Sequence, residues 1–205
     1  MSDRELTTLE QIHAAAKAEF LEKGFKTASL RNIVETAGVT TGAFYGYYKS
    51  KEELFDALVG QQYNTLMERY QDALRRSAAQ TPEKQRASMG LESSAFMLMM
   101  TEYACHYRDA FKLLICCAEG TKYENLIHDM VEMETKATRE FVKVMEATGA
   151  PKYAVDPYLE HMLFSGLFSA FFEIVVHDLP KEQALENVRE LLAFYRAGWQ
   201  KIMGL

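Results

Sequence analysis

The side chains of this 205-residue chain that are best suited to binding a polyanion lie between residues 29 and 54. Thr40 and Thr41 open an apolar helical pattern, where hydroxyls and free backbone N–H groups can donate to phosphate oxygens with help from the helix dipole. Gly42 lacks a side chain, so the backbone can approach a duplex closely. Lys49 and Lys51 flank the next helix start and should contact phosphates rather than bases. The structural alternatives are a cap at Thr40, a packing glycine at Gly42 and a solvated lysine at Lys51.

Two further side chains of this segment could reach the bases of a duplex. Tyr45 projects outward if Phe44 points inward, and its ring can pack on a thymine methyl group or a sugar while its hydroxyl reaches a phosphate. Arg31 lies on the outward face of the preceding predicted helix, from which it could reach a base edge or a phosphate. The chemistry expected of the segment is therefore recognition of double-stranded DNA.

Short helices joined by a glycine turn must position these side chains. Ser29 and Thr40 are favourable N-caps for two helices, with inward residues Leu30, Ile33 and Val34 in the first and Phe44 and Tyr48 in the second. Ala37-Gly38-Val39 forms the turn, since Gly38 suits a backbone with positive φ. Two short helices with a tight turn present the second helix to a DNA major groove.

The pattern outside this segment is helical throughout. Thr7 and Glu10 form a capping box for a first helix, which we expect to end at Gly24 as a left-handed cap. A second capping box at Ser50 and Glu53 begins a helix that runs to about residue 78. The four prolines follow and mark boundaries, with further helices near residues 83–106, 109–118, 122–148, 157–177 and 181–203. The predicted fold class is all-α.

Composition places the chain among globular proteins, with 48% hydrophobic and 25% charged residues. The net charge is −6, but residues 1–51 carry seven Lys and Arg against six Asp and Glu, so the acidity lies outside the predicted DNA-binding segment. No run approaches 18 consecutive apolar residues, and the polar N-terminus has no signal core, so we expect no membrane span and a cytoplasmic protein.

Metal binding, redox chemistry and catalysis find little support in the sequence. The three cysteines, Cys105, Cys116 and Cys117, are expected to be reduced, because the adjacent pair has poor spacing for zinc. His128 and Glu132 share a helix face, yet such pairs are common on ordinary helices. No nucleophile motif, phosphate loop or carboxylate pair stands out, so we expect no enzyme activity, no metal and no cofactor.

Residues 7–58 resemble the TetR family of transcriptional regulators. The resemblance rests on Gly24-Phe25, Ile33-Val34, Ala37-Gly38-Val39, Thr41-Gly42-Ala43-Phe44-Tyr45 and Tyr48-Lys49-Ser50-Lys51-Glu52-Glu53-Leu54. It implies that residues 1–50 form a three-helix helix-turn-helix DNA-binding domain. It also implies that residues 51–205 form a variable helical domain that dimerises and binds a small-molecule effector.

Three positions depart from the pattern of the family or refine it. Tyr47 stands where the family often has a histidine facing a phosphate. Leu30 replaces a frequent hydroxyl residue that donates to phosphate, and Gly46 leaves a bare spot where a contacting side chain is common. Direct base readout is therefore expected to be sparse, with the operator read partly by its shape.

The last two predicted helices are candidates for a dimer interface, because one reading unit covers only a few base pairs and a palindromic operator needs two. Residues 158–177 are apolar on more than one face, which is typical of a helix buried against both its own subunit and a partner. The alternative is an ordinary core helix. The residues expected at the interface are Leu167, Phe171, Leu191, Tyr195 and Trp199.

The candidate effector site is drawn from Met and aromatic residues of the C-terminal region, where polarisable and aromatic side chains favour an apolar or planar ligand. Such stripes are more often core than site. The residues expected to line the site are Phe96, Met100, Tyr103, His106, Phe111, Tyr123, Phe168 and Phe172.

The sequence thus predicts a dimeric DNA-binding repressor controlled by an unknown small molecule, with double-stranded DNA and a second copy of the chain as partners. Two alternatives stay open: a regulator or activator without a ligand, and a helical ligand-binding protein with a vestigial DNA-binding segment. Operator, regulated genes and effector are not written in the sequence.

Overall fold

The computed structural model describes residues 7–87, 91–149 and 155–203, and these form ten α-helices and no strand. The all-α fold class is confirmed. The helices are α1 (Thr8–Thr27), α2 (Leu30–Thr36), α3 (Thr41–Tyr47), α4 (Lys51–Ala78), α5 (Pro82–Ala87), α6 (Leu91–His106), α7 (Arg108–Cys116), α8 (Leu126–Ala147), α9 (Pro157–Val176) and α10 (Lys181–Met203). The helix predicted near 83–106 is two helices, α5 and α6, with residues 88–90 outside the described part.

The chain packs into two compact units. The first unit contains the residues up to Asn64 together with Tyr107–Glu124, and the second contains Thr65–His106 and the residues from Asn125 onward. Helix α4 begins in the first unit and ends in the second. The functional division at residue 50 stays a prediction.

The helix starts follow the caps read from the sequence. Thr7 accepts the Glu10 N–H through its hydroxyl while the Glu10 carboxylate accepts the Thr7 N–H, which completes the capping box. Ser29 and Thr40 cap α2 and α3, and the carboxylate of Asp156 caps α9. Local side-chain hydrogen bonds therefore fix where these helices begin.

The end of α1 differs from the expected left-handed cap. Gly24 has φ 72° and ψ 160°, which is an extended backbone with positive φ rather than a left-handed helical one. The chain kinks there and continues to Thr27, and the backbone N–H of Phe25 donates to the carbonyl of Cys117 at 2.9 Å. The kink brings Phe25 into the core of the first unit.

Aromatic side chains fill the core of the first unit. The rings of Phe20, Phe25 and Phe55 lie within 5.2–5.8 Å of one another, centroid to centroid. Ile33 of α2 and Phe44 of α3 are fully buried, so the two short helices are fixed to this core by large apolar side chains. The outward faces of α2 and α3 are then left to polar and aromatic residues.

The second unit also has an aromatic core. Tyr70 of α4 stacks on Phe96 of α6 with ring centroids 4.9 Å apart, and Phe168 of α9 meets Tyr70 edge-on at 5.7 Å. The polar Glu134 of α8 takes part in this core, because the hydroxyl of Tyr70 donates to its carboxylate.

Helix α9 is long and apolar enough to cross a membrane by length and composition alone. It has no long uninterrupted apolar run, but its mean hydropathy is high because Phe, Leu and Val outweigh its few polar residues. Of the apolar window, 44% is buried inside the protein, and buried core helices pass the same test.

Candidate nucleic-acid interface and ligand cavity

Helices α2 and α3 and the turn between them have the geometry of a helix-turn-helix, and this segment is the reading element of the chain. Gly38 has φ 66°, and the N–H of Val39 donates to the carbonyl of Val34 at 3.2 Å, which closes the turn. The hydroxyl of Thr40 accepts the N–H of Ala43 at 3.1 Å. Thr40 is thus a helix cap, as the structural alternative proposed, while its exposed position leaves room for an additional phosphate contact.

The outward side chains of α3 are free to meet a ligand. Tyr45 and Tyr47 are 54% and 49% exposed, although both are large aromatic residues whose exposure costs hydrophobic free energy. Thr41 is exposed as well. Gly42 is exposed, and a Cβ added there would approach no atom nearer than 3.9 Å, so it is not a packing glycine. Large exposed aromatic residues beside a bare backbone form a surface suited to a sugar–phosphate edge.

Arg31 and Lys49 extend this surface on either side. Arg31 is exposed on α2, and the Lys49 side chain is exposed after α3. The backbone N–H of Lys49 donates to the Glu53 carboxylate at 2.6 Å, which fixes the chain between α3 and α4. Both side chains keep their positive charge on the surface, where a phosphate can reach it.

The position of Lys51 differs from the predicted one, in which its side chain contacts phosphates. Its ammonium donates to the carbonyls of Phe25 at 2.7 Å and Ala28 at 2.9 Å, and it lies 4.5 Å from the centre of the Phe25 ring. These carbonyls belong to the C-terminal end of α1, where a cation is favourable. Lys51 therefore ties α4 to α1 instead of presenting its charge to phosphates.

Tyr48 and His13 lock α1 to the end of α3. Tyr48 is buried, as its predicted inward position requires, and its hydroxyl lies 2.5 Å from Nε2 of His13. Burial lowers the pKa of His13, and the nearby Lys17 lowers it further. The neutral imidazole therefore prevails at physiological pH, and the contact positions α3 without adding charge.

Two residues expected in the effector site belong to the first unit instead. Phe111 of α7 is fully buried there. The Tyr123 hydroxyl donates to the carboxylate of Asp56, and Lys122 pairs with the same carboxylate at 2.6 Å. Burial raises the pKa of Tyr123 to about 12. A Cβ on Gly60 would lie 3.0 Å from the Tyr123 hydroxyl, so the absence of a side chain admits this contact.

A cavity of about 710 Å³ lies within the second unit. This volume lies in the range of sites for small organic molecules. Aromatic residues of four helices contribute to its wall: Tyr70 of α4, Phe141 of α8, Phe164 and Phe168 of α9, and Tyr195 and Trp199 of α10. Charged groups in the wall are Arg75, Glu134, Lys136, Glu140 and Arg196.

Only Phe168 of the eight residues expected in the effector site lines this cavity. Phe96, Met100 and Phe172 are buried in the packed core, and Tyr103 and His106 are not in the wall. The physical reason is that apolar side chains at helical spacing fill the space between helices. A cavity forms only where side chains leave part of that space empty. The signal that was overlooked is Glu134, a carboxyl between buried Val131 and Thr138 on the inward face of α8.

The residues expected at the dimer interface also lie in different places, some in the core and some in the cavity wall. Phe171 is 1% exposed and therefore belongs to the core of its own subunit. Leu167, Tyr195 and Trp199 line the cavity, and Leu191 is half-buried. The Trp199 ring stacks on Phe164 at 4.8 Å.

Other apolar residues of α9 and α10 remain exposed. Tyr158 is 81%, Phe194 is 73% and Met162 is 67% exposed. Gly166 is exposed beside them, and a Cβ there would lie 2.7 Å from the Tyr195 hydroxyl. Several large apolar side chains exposed on two helices that pack together are typical of an interface.

The cysteines lie apart from any metal cluster. The described residues contain no group of three or more His, Cys, Asp or Glu side chains that could hold a metal ion. Cys117 is buried, and burial raises the pKa of its thiol to about 11, so it is poorly reactive.

Comparison with known proteins places the reading element in a family. Residues 12–58 match the family described as bacterial regulatory proteins, tetR family. The HTH-type transcriptional repressor KstR2 of Mycolicibacterium smegmatis is 27% identical over 131 residues, which cover 63% of this chain and 58% of the relative. The probable acrEF/envCD operon repressor of Escherichia coli is 24% identical over 177 residues, which cover 82% and 76%. The chain spans between 28% and 58% of the first curated relatives it matches.

Solved structures share the fold over nearly the whole chain. The ketosteroid transcriptional regulator KstR2 of Mycobacterium tuberculosis superposes with a TM-score of 0.61 at 17% identity, covering 96% of this chain and 97% of that one. SmeT, the repressor of a multidrug efflux pump in Stenotrophomonas maltophilia, gives a TM-score of 0.55 at 18% identity, covering 96% and 92%. At these identities the likeness concerns the fold, and it confirms an N-terminal helix-turn-helix followed by a helical C-terminal part.

Proposed function

We propose that this chain, which belongs to the TetR family of transcriptional regulators, is a homodimeric cytoplasmic repressor that leaves its operator when a small molecule fills the cavity of the second unit. The observation that carries the proposal is α3, whose outward side chains, Thr41, Tyr45 and Tyr47, are exposed while Phe44 fixes the helix to a closed core. Large aromatic side chains that stay exposed on such a helix indicate that the helix contacts a partner.

In the proposed complex α3 enters the major groove. Thr40 and Thr41 meet the phosphates through hydroxyl and backbone N–H groups, and the Tyr45 ring packs on a thymine methyl group or a sugar. Lys49 and Arg31 contact the flanking backbone. Because base-reading donors are few on this surface, the operator is read partly through its shape.

Two copies are needed to read a palindromic operator, and α9 and α10 offer the surface that joins them. Tyr158, Met162 and Phe194 are the anchors, since each exposes most of a large apolar side chain. Gly166 and Ser169 allow the partner helix to approach closely. This surface replaces Phe171, which is committed to its own subunit.

Effector control is supported by the cavity and by the names of the relatives. KstR2 of Mycolicibacterium smegmatis and the Escherichia coli protein are both named repressors. A molecule that binds the cavity better in one arrangement of the dimer shifts the population toward it, and an arrangement that no longer fits two successive major grooves releases the DNA.

Selection of random duplex DNA by the purified protein tests the proposal. We expect enrichment of a palindrome, and titrations with that duplex at two salt concentrations should show affinity that falls steeply as salt rises. Tyr45→Ala should weaken binding by about 10-fold, given the ~1–3 kcal/mol of a typical specific base contact. Tyr107→Ala, at an exposed tyrosine outside α3 and outside the α9 and α10 surface, is the matched control and should leave the affinity unchanged.

The dimer is tested separately by sedimentation. Phe194→Ala should shift the protein from dimer toward monomer without lowering its free energy of unfolding per subunit, because the side chain is 73% exposed. A wild-type chain that sediments as a monomer and selects no sequence would refute the repressor and leave the ligand-binding alternative.

A further inference from the structure

Glu134 is an unusual group to find in the wall of the cavity. Its side chain is half-buried in that wall, and its carboxylate accepts a hydrogen bond from the Tyr70 hydroxyl. Tyr70 is itself 1% exposed and wedged between Phe96 and Phe168. A half-buried carboxylate loses part of its hydration, and one neutral hydrogen bond replaces only some of what is lost.

No cation compensates Glu134 within the described part of the chain. Tyr70 is its hydrogen-bond partner there, and burial raises the pKa of Glu134 above its ordinary value while the Tyr70 bond lowers it. The carboxyl is therefore a half-buried acceptor in the cavity wall with unused lone pairs. A carboxylate without a cation in the wall of a cavity points to a partner that arrives from the cavity.

The other charged groups of the wall are better hydrated or already paired. Arg75 pairs with Asp72, and Glu140 pairs with Lys143 at 2.7 Å, with side chains 53–69% exposed in these pairs. Lys136 is exposed and Arg196 is half-buried. Arg75 and Glu140 thus have charged partners, whereas no cation pairs with Glu134 among the described residues.

The rest of the wall is aromatic and apolar. Tyr70, Phe168, Tyr195 and Trp199, whose ring stacks on Phe164, line the same cavity as Glu134. Aromatic faces attract cations, and a carboxylate forms a charge-assisted hydrogen bond with an ammonium group. A carboxylate within an aromatic wall is the combination that binds a planar organic cation.

We propose that the effector of this regulator is a lipophilic aromatic cation or amine, whose positively charged nitrogen binds Glu134 and whose rings pack on the aromatic wall. The inference rests on the proposed function, since it names the chemical class of the molecule that fills the same cavity. Glu134 is then the specificity-determining residue and Tyr70 the positioning residue that holds its carboxylate.

Three acridines of one ring system and different charge test the proposal near neutral pH: 9-aminoacridine as the cation, acridine as the neutral form and acridine-9-carboxylate as the anion. Trp199 is the only tryptophan of the chain and lies in the cavity wall, so quenching of its fluorescence reports a probe bound there. We expect 9-aminoacridine to bind more tightly than either of the other two probes.

Glu134→Gln removes the charge and keeps an oxygen that can accept the Tyr70 hydrogen bond, so the variant should fold. It should weaken the binding of 9-aminoacridine by about 10-fold or more and leave the affinity for acridine unchanged. Glu132→Gln is the matched control, since it removes the same charge from an exposed carboxylate of the same helix outside the cavity wall. It should change the affinity for 9-aminoacridine by less than about 2-fold, as expected of exposed charges.

Proton release gives a second readout. Binding of a cation favours the ionised carboxylate, so binding of 9-aminoacridine is linked to loss of a proton from Glu134 at any pH where that carboxyl is partly protonated. Calorimetry in two buffers of different ionisation enthalpy measures this release. It should vanish in Glu134→Gln and persist in Glu132→Gln, and acridine should show none.

The inference is overturned if the three probes bind equally, if the anion binds best, or if Glu134→Gln leaves 9-aminoacridine binding intact. In each of these cases the cavity still binds ligands, so the proposed function stands. If none of the probes quenches Trp199 the inference also fails, and DNA selection then decides on the repressor independently.

Discussion

The carboxylates that the two units bury wholly or in part are held in opposite ways. In the first unit, Glu19 accepts the Ser29 N–H at 2.9 Å and both of its oxygens meet the Lys23 ammonium at 2.9–3.0 Å. In the second unit, half-buried Glu134 has the Tyr70 hydroxyl as its one hydrogen-bond partner among the described residues. Glu160 has one oxygen without a hydrogen-bond partner among the described residues and Arg139 at 3.7 Å from the other.

The pKa directions follow from this difference. The backbone hydrogen bond from Ser29 and the contacts with Lys23 lower the pKa of Glu19. Burial raises the pKa of Glu134 and of Glu160. A saturated carboxylate strengthens the fold, whereas an unsaturated one weakens it and remains available for a partner.

The difference indicates where each unit must be rigid. Glu19 joins α1 to the start of α2, so it fixes the angle at which the reading element leaves the core. The second unit keeps a cavity and polar groups with few hydrogen bonds, at some cost in stability. Three predictions test this comparison.

The largest effect is expected for Glu19→Ala. It removes the acceptor of the Ser29 N–H and the partner of Lys23, so the free energy of unfolding should fall by about 3 kcal/mol, as for hydrogen bonds to a buried charge. Chemical denaturation measures the loss. Glu22→Ala, at an exposed position on the same helix, is the control and should change stability by less than about 0.5 kcal/mol.

The same carboxylate predicts a dependence on pH. Because the pKa of Glu19 is lower in the folded state than its ordinary value of 4.5, its contribution is present above that value and is lost as pH falls below it. Wild type and Glu19→Ala should therefore converge in stability in acid. Equal separation of the two at every pH would contradict the ionic role.

A smaller loss of stability is expected for Lys51→Met, and the same change at Lys49 serves as the comparison. Lys51→Met removes two hydrogen bonds to carbonyls of α1 and should lower the free energy of unfolding by about 2 kcal/mol. The slope of log affinity for operator against log salt should stay unchanged, since no phosphate contact is lost.

Lys49→Met should behave in the opposite way. Its side chain is exposed, so stability should stay within about 0.5 kcal/mol of wild type. The salt slope should fall by about one unit if it contacts a phosphate. A reduced slope in Lys51→Met would restore Lys51 as a DNA contact and break the distinction.

The smallest effect is expected for Glu160→Gln, which should stabilise the protein by about 1 kcal/mol near pH 7.5 because a neutral amide is easier to bury. The folded-state pKa of Glu160 lies above its ordinary 4.5, so wild type loses stability as pH rises from that value through the folded pKa. The gain should shrink below pH 4.5. Glu132→Gln, exposed on α8, should show neither effect, and thermal unfolding across pH measures both.

Much of the first unit could be predicted because its signals are local. The Thr7, Ser29 and Thr40 caps and the Gly38 turn each depend on residues within a few positions, and the structure confirms them. The alternation of inward Phe44 and outward Tyr45 follows from helical geometry alone. A sequence determines such features because no distant contact has to be known.

The candidate sites of the second unit could be predicted only in type. The sequence indicated an aromatic pocket and an apolar interface on the last helices, but it could not say which of several apolar faces packs inward. Phe171 and Phe194 have similar surroundings in sequence, and the neighbouring helices bury one and leave the other 73% exposed.

What the sequence determined by itself was the all-α fold, the caps, the reading turn and the outward residues of α3. Tertiary structure alone decided that Lys51 binds the end of α1, that Tyr123 belongs to the first unit, and that the cavity opens beside Glu134. The physical reason is range: hydrogen bonds of caps and turns join near neighbours, whereas cavities and buried polar contacts are made by helices that lie far apart in the chain.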